Sequence, residues 1–328
     1  MEPTFSNILF ILLVIAVLNY LSQVAIQRMK PQIFIQPGLI PQGIQREGFT
    51  DAVIPKETYL NNEQLYDDFY ASIYDQLTQN VRMTEQKIAL IAAEWKKTGA
   101  KMEYMDALDA GCGTGVASVA LAKLDVKSVL GLDKSKAMLE RAQTVTLSNS
   151  KLSEAQKKRI TFRQGDLLNP SAVGGSAVSH AVCLYFTIYY LPDKEAFFRN
   201  MFLWVKPGGE MVVEVVNKYK FDPMLDSASP WVGFSLQKYS KERMTDSKVA
   251  FDKFDYHGKF DLQDPSAEFR ESFHFKDGSV RRQKHRFSMP SIDEISKSAK
   301  AAGWVYTKYV DLTLIGFEYS YLLFFRHP

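Results

Sequence analysis

The chain has 328 residues, 46% hydrophobic and 23% charged, enough to bury a large core in one or two domains. A net charge of +3 without a basic block argues against a nucleic-acid partner, which needs a concentrated positive face. Two cysteines and five scattered histidines give neither a disulfide framework nor zinc-cluster spacing, so a reducing compartment and no metal are expected.

The first informative segment runs from Phe5 to Ile26, 22 residues without a charge, with an unbroken apolar stretch from Ile8 to Leu18. That length spans a bilayer as a helix, and residues 1–30 are read as a transmembrane anchor. A signal peptide would want a basic leader where Glu2 stands, and a core or interfacial helix would want amphipathic spacing. Arg28 and Lys30 follow the segment, so the positive-inside rule makes this a single-pass membrane protein with its bulk in the cytoplasm. Residues 31–56, with Pro31, Pro37, Pro41, Pro55, Gly38, Gly43 and Gly48, read as an extended linker.

From residue 57 to 100 the spacing predicts helices. Leu65, Tyr66, Phe69, Tyr70, Ile73, Tyr74 and Leu77 recur at helical intervals, and a second helix is expected over Met83–Lys97. The tyrosine stripe is either core packing or a lid whose hydroxyls cover a ligand.

Residues 101–328 alternate between strand and helix patterns. Strands are expected at Ala107–Asp109, Ser128–Leu132, Ile160–Arg163, His180–Tyr185 and Glu210–Val216. Helices are expected at Val116–Lys123, Lys136–Leu147 and Lys194–Trp204. Such alternation predicts an α/β, Rossmann-like, doubly wound sheet with ligand at the carboxyl ends of its strands. Residues 218–290 break the rhythm with period-two stretches and an Asp277-Gly278 hairpin turn, an antiparallel β insertion that caps the cleft. Ser291 and Glu294 form a capping box, and Val305–Leu312 with Tyr319–Arg326 completes seven strands as a closing antiparallel pair.

Four features carry the chemistry. Asp109-x-Gly111-Cys112-Gly113-x-Gly115 turns a strand into a helix through glycines, which lets bare backbone approach a nucleotide-like ligand. Asp133 ends the second strand, where a carboxylate accepts both hydroxyls of a ribose. Gly165-Asp166-Leu167 ends the third strand, where a carboxylate meets an exocyclic amine, and Lys206-Pro207-Gly208-Gly209 leads into the fifth. Val116 stands where a dinucleotide fingerprint wants glycine or alanine, which disfavours a nicotinamide oxidoreductase.

On these motifs the chain resembles the class I S-adenosylmethionine-dependent methyltransferases, in the group acting mostly on small molecules. The resemblance covers about Asp106–Val216 and resumes from Ser291. It implies that Asp109, Gly111, Cys112, Gly113 and Gly115 back the methionine end of S-adenosylmethionine. It also puts Asp133 on the ribose, Asp166 and Leu167 on the adenine, and Lys134 and Met138 beside them. Tyr66 and Tyr70 would close over the cofactor from the lid. His180 and the Tyr189-Tyr190 pair depart from the family pattern.

The enzyme expected is a methyltransferase moving a methyl group to an O or N of a small-molecule or lipid-like acceptor. A catalytically inactive, membrane-tethered binding module is the alternative. Transfer from a sulfonium needs mainly alignment and exclusion of water, so no catalytic motif is expected. Position nominates Tyr185, Tyr189 and Tyr190 at the exit of the fourth strand. His257 (beside Gly258 in a turn), His274 (facing solvent) and His285 are weaker candidates for a base. The aromatic insertion, including Phe221, Trp231, Phe234, Tyr239, Phe251, Phe254 and Tyr256, suits an apolar acceptor.

Overall fold

Strand β2 (Asp106–Ala110) is buried along most of its length, and the rest of the α/β layer is wound around it. The computed structural model describes residues 57–62, 64–78, 80–223 and 243–328. The expected anchor (1–30) and linker (31–56), and Trp231, Phe234 and Tyr239 of the insertion, lie outside the described residues. Among the described residues no helix is long and apolar enough to cross a membrane.

The main sheet has seven strands in the order β11-β12-β6-β5-β2-β3-β4. These are β3 (Ser128–Asp133), β4 (Ile160–Gln164), β5 (Val178–Cys183), β6 (Val205–Val216), β11 (Val305–Asp311) and β12 (Ser320–Arg326) around β2. β2 pairs in parallel with both β3 and β5, while β12 runs antiparallel to β6 and β11. The strand order therefore reverses at β2, which puts the ligand crevice at its carboxyl end.

Side-chain alternation along β6 sorts two cores. Met211, Val213 and Val215 face a layer holding Phe197, Phe198, Trp204 and Trp304, whereas Val212 faces Ile88, Ile91, Trp95 and Leu121. Each fully buried aliphatic or aromatic side chain contributes roughly 1.5–3 kcal/mol to this packing. Glu214 shares the parity of Val212, so the same alternation carries a carboxylate into the second layer.

Helices α1 (Asp68–Thr78) and α2 (Asn80–Lys97) precede β2, and α3 (Val116–Ala122) follows it, buried on every residue. Then come α4 (Lys136–Arg141), short α5 (Glu154–Lys157) and α6 (Thr187–Tyr190), α7 (Lys194–Trp204) and α8 (Ile292–Ala301). The helix expected to run to Leu147 changes at Ala142 into a π-helical turn. Ser291 and Glu294 form the reciprocal capping box at the start of α8.

Three local expectations are corrected. Glu57–Asn61, expected in the helical segment, is a strand, β1, paired in parallel with strand β10 (Val280–Ser288) of the insertion. Its alternating Thr58 and Leu60 suit an edge strand, and nothing in the local sequence announces the distant partner. The Pro207-Gly208-Gly209 turn is a bulge inside β6, because the β5 register jumps from Val178↔Val205 to His180↔Glu210. His257 lies in a strand rather than a turn, and its ring faces Asp246 at 3.1 Å.

The insertion builds a second sheet, β1-β10-β9-β8-β7, from β7 (Asp246–Ala250), β8 (Phe254–Gln263), β9 (Ser266–Phe275) and β10 (Val280–Ser288). All of its pairs except β1 with β10 are antiparallel, as the period-two pattern predicts. Phe69 of α1 packs edge-on against Phe254, Phe273 and Phe275, which joins the tyrosine helix to this sheet.

Candidate active site

The glycine turn is held in left-handed backbone, with φ of 75° at Gly111, 51° at Gly113 and 79° at Gly115. A Cβ at Gly111 would lie 2.4 Å from the Thr187 methyl, and one at Gly115 would lie 2.7 Å from the Phe162 ring. Those two glycines are required by packing. A Cβ at Gly113 would meet nothing within 4 Å, so this glycine faces open cavity and leaves its peptide accessible.

Asp133 closes the turn from β3. Its Oδ2 accepts from the Gly113 amide at 2.8 Å and its Oδ1 from the Ser135 amide at 2.8 Å. Burial raises its pKa, although the Ser135, Gly113 and Lys134 amides oppose the rise. A carboxylate so fixed, with further lone pairs toward the cavity, fits a vicinal diol. Met138 and Leu167 supply buried apolar surfaces on the cavity wall, and the exposed Lys134 pairs with Asp166 at 3.4 Å across its rim. The residues present therefore fit the nucleoside of S-adenosylmethionine.

Asp109 sits beneath the turn, accepting from the Ser118 hydroxyl at 2.7 Å, and with Cys112 it borders a small cleft rather than the main cavity. Burial raises its pKa to about 7, against the Ser118 hydrogen bond. A carboxyl raised in this way binds more protons folded than unfolded. Its contribution to stability is thus complete below pH 4 and lost as pH rises toward 7 and beyond. The loss is on the order of 4 kcal/mol. Asp109→Asn should therefore outlast the native chain in urea at pH 8 and lose that advantage at pH 4. Equal unfolding midpoints at pH 8 would contradict a buried charge there.

The cavity beside the turn measures about 1130 Å³. One end is lined by Gly111, Gly113, Asp133, Lys134, Met138, Asp166 and Leu167. The other is lined by Phe186, Tyr190, Phe221, Phe260, Phe269, His285 and Phe287, with Tyr66, Tyr70 and Tyr74 between the two. Pockets for one small ligand usually occupy about 300–1,000 Å³, so this one exceeds the space a single ligand needs.

The tyrosines divide by environment. Tyr66 and Tyr70 pack edge-on at 5.6 Å, and Tyr66 also meets the rings of Tyr190 and His285. The Tyr66 carbonyl accepts from the Ser135 hydroxyl at 2.6 Å, next to Asp133. The Tyr70 hydroxyl donates to Glu271 at 3.2 Å, so its polar end turns to the insertion sheet. Tyr190 hydrogen-bonds His285 Nδ1. Tyr189, nominated with Tyr190, is corrected: its ring is in the core and its hydroxyl is engaged by the backbone of Val216. On a helical turn, adjacent residues cannot share a face.

Tyr185 lines the cavity with φ of 54°, a left-handed conformation unusual for an aromatic residue. Its amide donates to Glu214 Oε2 at 2.8 Å and its hydroxyl meets Thr84 at 2.5 Å. Glu214 Oε1 accepts from Lys87 Nζ at 2.7 Å, and Lys87 lies 4.1 Å from the Tyr185 ring centroid. This buried ion pair holds the exit of β5 in its strained shape.

Sequence reasoning missed Glu271, Gln283, Lys87 and Glu214, and gave His285 no partner. Along β10, Arg281, Gln283, His285 and Phe287 are all buried on one face. Polar residues carrying the parity of Phe287 were the available signal. His274 is exposed, as its alternation with Phe273 and Phe275 predicts. His180, standing where the family pattern has an acid, packs against Trp95 at 4.8 Å, and burial lowers its pKa to about 4.

Comparison with known proteins agrees with this geometry. A family model described as a methyltransferase domain matches residues 101–264, half of the chain. An S-adenosylmethionine-dependent methyltransferase from Clostridium acetobutylicum superposes with a TM-score of 0.59 at 18% identity, over 79% of this chain and 98% of that one. The CcbJ methyltransferase of Streptomyces caelestis does so at 0.59 and 16% identity, over 81% of this chain and 99% of that one. The mitochondrial ubiquinone biosynthesis O-methyltransferase of Dictyostelium discoideum is 27% identical over 118 residues, 36% of this chain and 37% of that protein. The ribosomal protein L11 methyltransferase of Halalkalibacterium halodurans is 29% identical over 120 residues, 37% of this chain and 34% of that protein. The chain thus spans about a third of the length of these curated relatives. With the glycine turn, the strand-end carboxylates and the sheet order in agreement, this chain belongs to the class I S-adenosylmethionine-dependent methyltransferases.

Proposed function

We propose that the protein moves a methyl group from S-adenosylmethionine to an oxygen or nitrogen of an apolar small-molecule or lipid-like acceptor. The observation that carries this reading is a single cavity with two chemically distinct ends. One end offers glycine backbone and the Asp133 carboxylate; the other is walled by aromatic rings. Burying both ligands together would exclude water and align the acceptor with the methyl carbon. The likeness to an O-methyltransferase of ubiquinone biosynthesis supports a small-molecule acceptor.

Two measurements test it. Calorimetry should show S-adenosylmethionine binding at sub-millimolar concentration and NAD failing to bind. Methyl-tritiated donor incubated with membrane extracts should then label small molecules or lipids. Label confined to protein would redirect the reading to a protein acceptor, and donor binding without any transfer would favour a binding module.

The uncharged run Phe5–Ile26, with Arg28 and Lys30 after it, supports a tether that holds the catalytic domain at the cytoplasmic face of a membrane. Deleting residues 1–30 should move the protein from the membrane pellet to the soluble fraction. A full-length chain already soluble without detergent would defeat the tether.

A further inference from the structure

At the aromatic end of the cavity three polar groups lie in series. The Tyr190 hydroxyl meets His285 Nδ1, and His285 Nε2 meets Glu271 Oε2 at 2.5 Å. They come from α6, β10 and β9, and His285 and Glu271 are only 2% and 3% exposed. Glu271 also accepts from Tyr256 at 2.8 Å, Gln283 at 2.5 Å and Tyr70 at 3.2 Å. A carboxylate surrounded by four donors is held ionised. Burial is the largest single influence and opposes that state, but His285, Gln283 and Tyr256 together outweigh it, and the Glu271 pKa falls below its ordinary value.

This arrangement fixes the imidazole. Glu271 has no proton to give, so His285 Nε2 donates to it; in the neutral imidazole Nδ1 is then the acceptor for the Tyr190 hydroxyl. The Tyr190 pKa is raised well above its ordinary value, first by burial, so the phenol is a conduit for a proton and not a standing base. Tyr190 and His285 both line the cavity among Phe186, Phe269 and Phe287. Six hydrogen-bonding side chains beside a wall of apolar rings would serve a merely structural role poorly, because apolar substitutes pack at no cost in desolvation.

We propose that Tyr190, His285 and Glu271 form a proton relay, and that the acceptor is therefore a hydroxyl compound with an apolar, ring-bearing body. This rests on the methyltransferase reading above and names its substrate class. As the acceptor oxygen bonds to the methyl carbon, its proton passes to Tyr190 Oη and the phenol proton passes to His285 Nδ1. The carbon–sulfur bond breaks, its electron pair returns to sulfur, and the donor leaves as the neutral thioether. Glu271 balances the imidazolium until its proton returns through Tyr190 to solvent. Tyr190 is the catalytic residue, His285 takes the proton behind it, and Glu271 is a positioning residue. A neutral amine acceptor needs no such base, which is why the relay selects oxygen.

The test uses the full chain with methyl-tritiated S-adenosylmethionine and matched acceptors, 2-naphthol and 2-naphthylamine. Label should enter the naphthyl ether. His285→Gln should lower kcat by roughly 10²–10⁴-fold with the donor Kd unchanged, the range expected for loss of a general base. Glu271→Gln should lower kcat and displace the pH profile. The groups facing the imidazole from all sides are Glu271, Tyr190, Tyr66 and Tyr70, with Tyr256 and Arg281 behind them. Independently of turnover, nitrogen NMR of the wild-type protein should show His285 protonated at Nε2, with a far-downfield proton that Glu271→Gln abolishes. Transfer to the amine alone, transfer to neither acceptor with donor bound, or His285→Gln within threefold of wild type would each overturn the relay. Failure to bind donor would instead overturn the methyltransferase reading.

Discussion

Asp133→Ala should weaken S-adenosylmethionine binding at least 100-fold while leaving the chain folded. The carboxylate holds the Gly113 and Ser135 amides, and in the donor-binding role proposed for this site its remaining lone pairs would meet the ribose. Hydrogen bonds to a charged group contribute about 1.5–3 kcal/mol each, so losing a bidentate pair removes roughly 3–6 kcal/mol. Each 1.4 kcal/mol is a factor of ten in affinity. Folding suffers less, because Asp133 is itself a buried carboxyl with a raised pKa. Asp133→Asn keeps one acceptor and should fall between the two. Calorimetry on all three proteins decides it, and an alanine variant within tenfold of wild type would remove Asp133 from the donor site.

Lys87→Met should cost about 3–5 kcal/mol of stability, the expected penalty for leaving a buried charge without its partner. Glu214 is only 5% exposed and also anchors the Tyr185 amide, which limits its freedom to turn away. The double variant Lys87→Met with Glu214→Gln removes the orphan charge and should recover much of the loss. Urea unfolding of the two single variants and the double variant measures the coupling. A single-variant penalty below 1 kcal/mol would mean that the pair is already solvated.

The glycine turn and the carboxylates at the strand exits were legible because their signals are local, although Asp109 and Cys112 border a separate small cleft. Asp109 to Gly115, Asp133 and Asp166 sit at strand exits, where a turn residue and a carboxylate declare themselves within a few positions. The seven-stranded sheet was legible for the same reason, since each βα unit carries its own apolar run and cap. The acceptor end was not. His285 and Glu271 are 14 residues apart on neighbouring strands and meet only through the β9–β10 register, which pairs Glu271 with Gln283. Tyr190 reaches His285 across 95 residues of sequence. Lys87 and Glu214 are 127 residues apart. Charged and polar residues spaced by two also describe a solvated strand face, and burial alone separates the two cases. Tyr189 shows the converse error: two adjacent tyrosines look equivalent in sequence, but a helical turn sends one to the core.

Strand β1 gives the cavity an unexpected mechanical property. It stitches the chain just ahead of α1 to β10, with the Asn62 side chain clasping the backbone of Arg286 and Arg281 gripping Asp67 and the Leu65 carbonyl. On its other side the same segment reaches the donor turn, where Ser135 holds the Tyr66 carbonyl and Thr114 donates to Asp75 at 2.6 Å. The segment carrying Tyr66, Tyr70 and Tyr74 is thus tied at once to the insertion sheet and to the glycine turn. A substitution that loosens either set of contacts should therefore disturb both walls of the cavity, not only the one it touches.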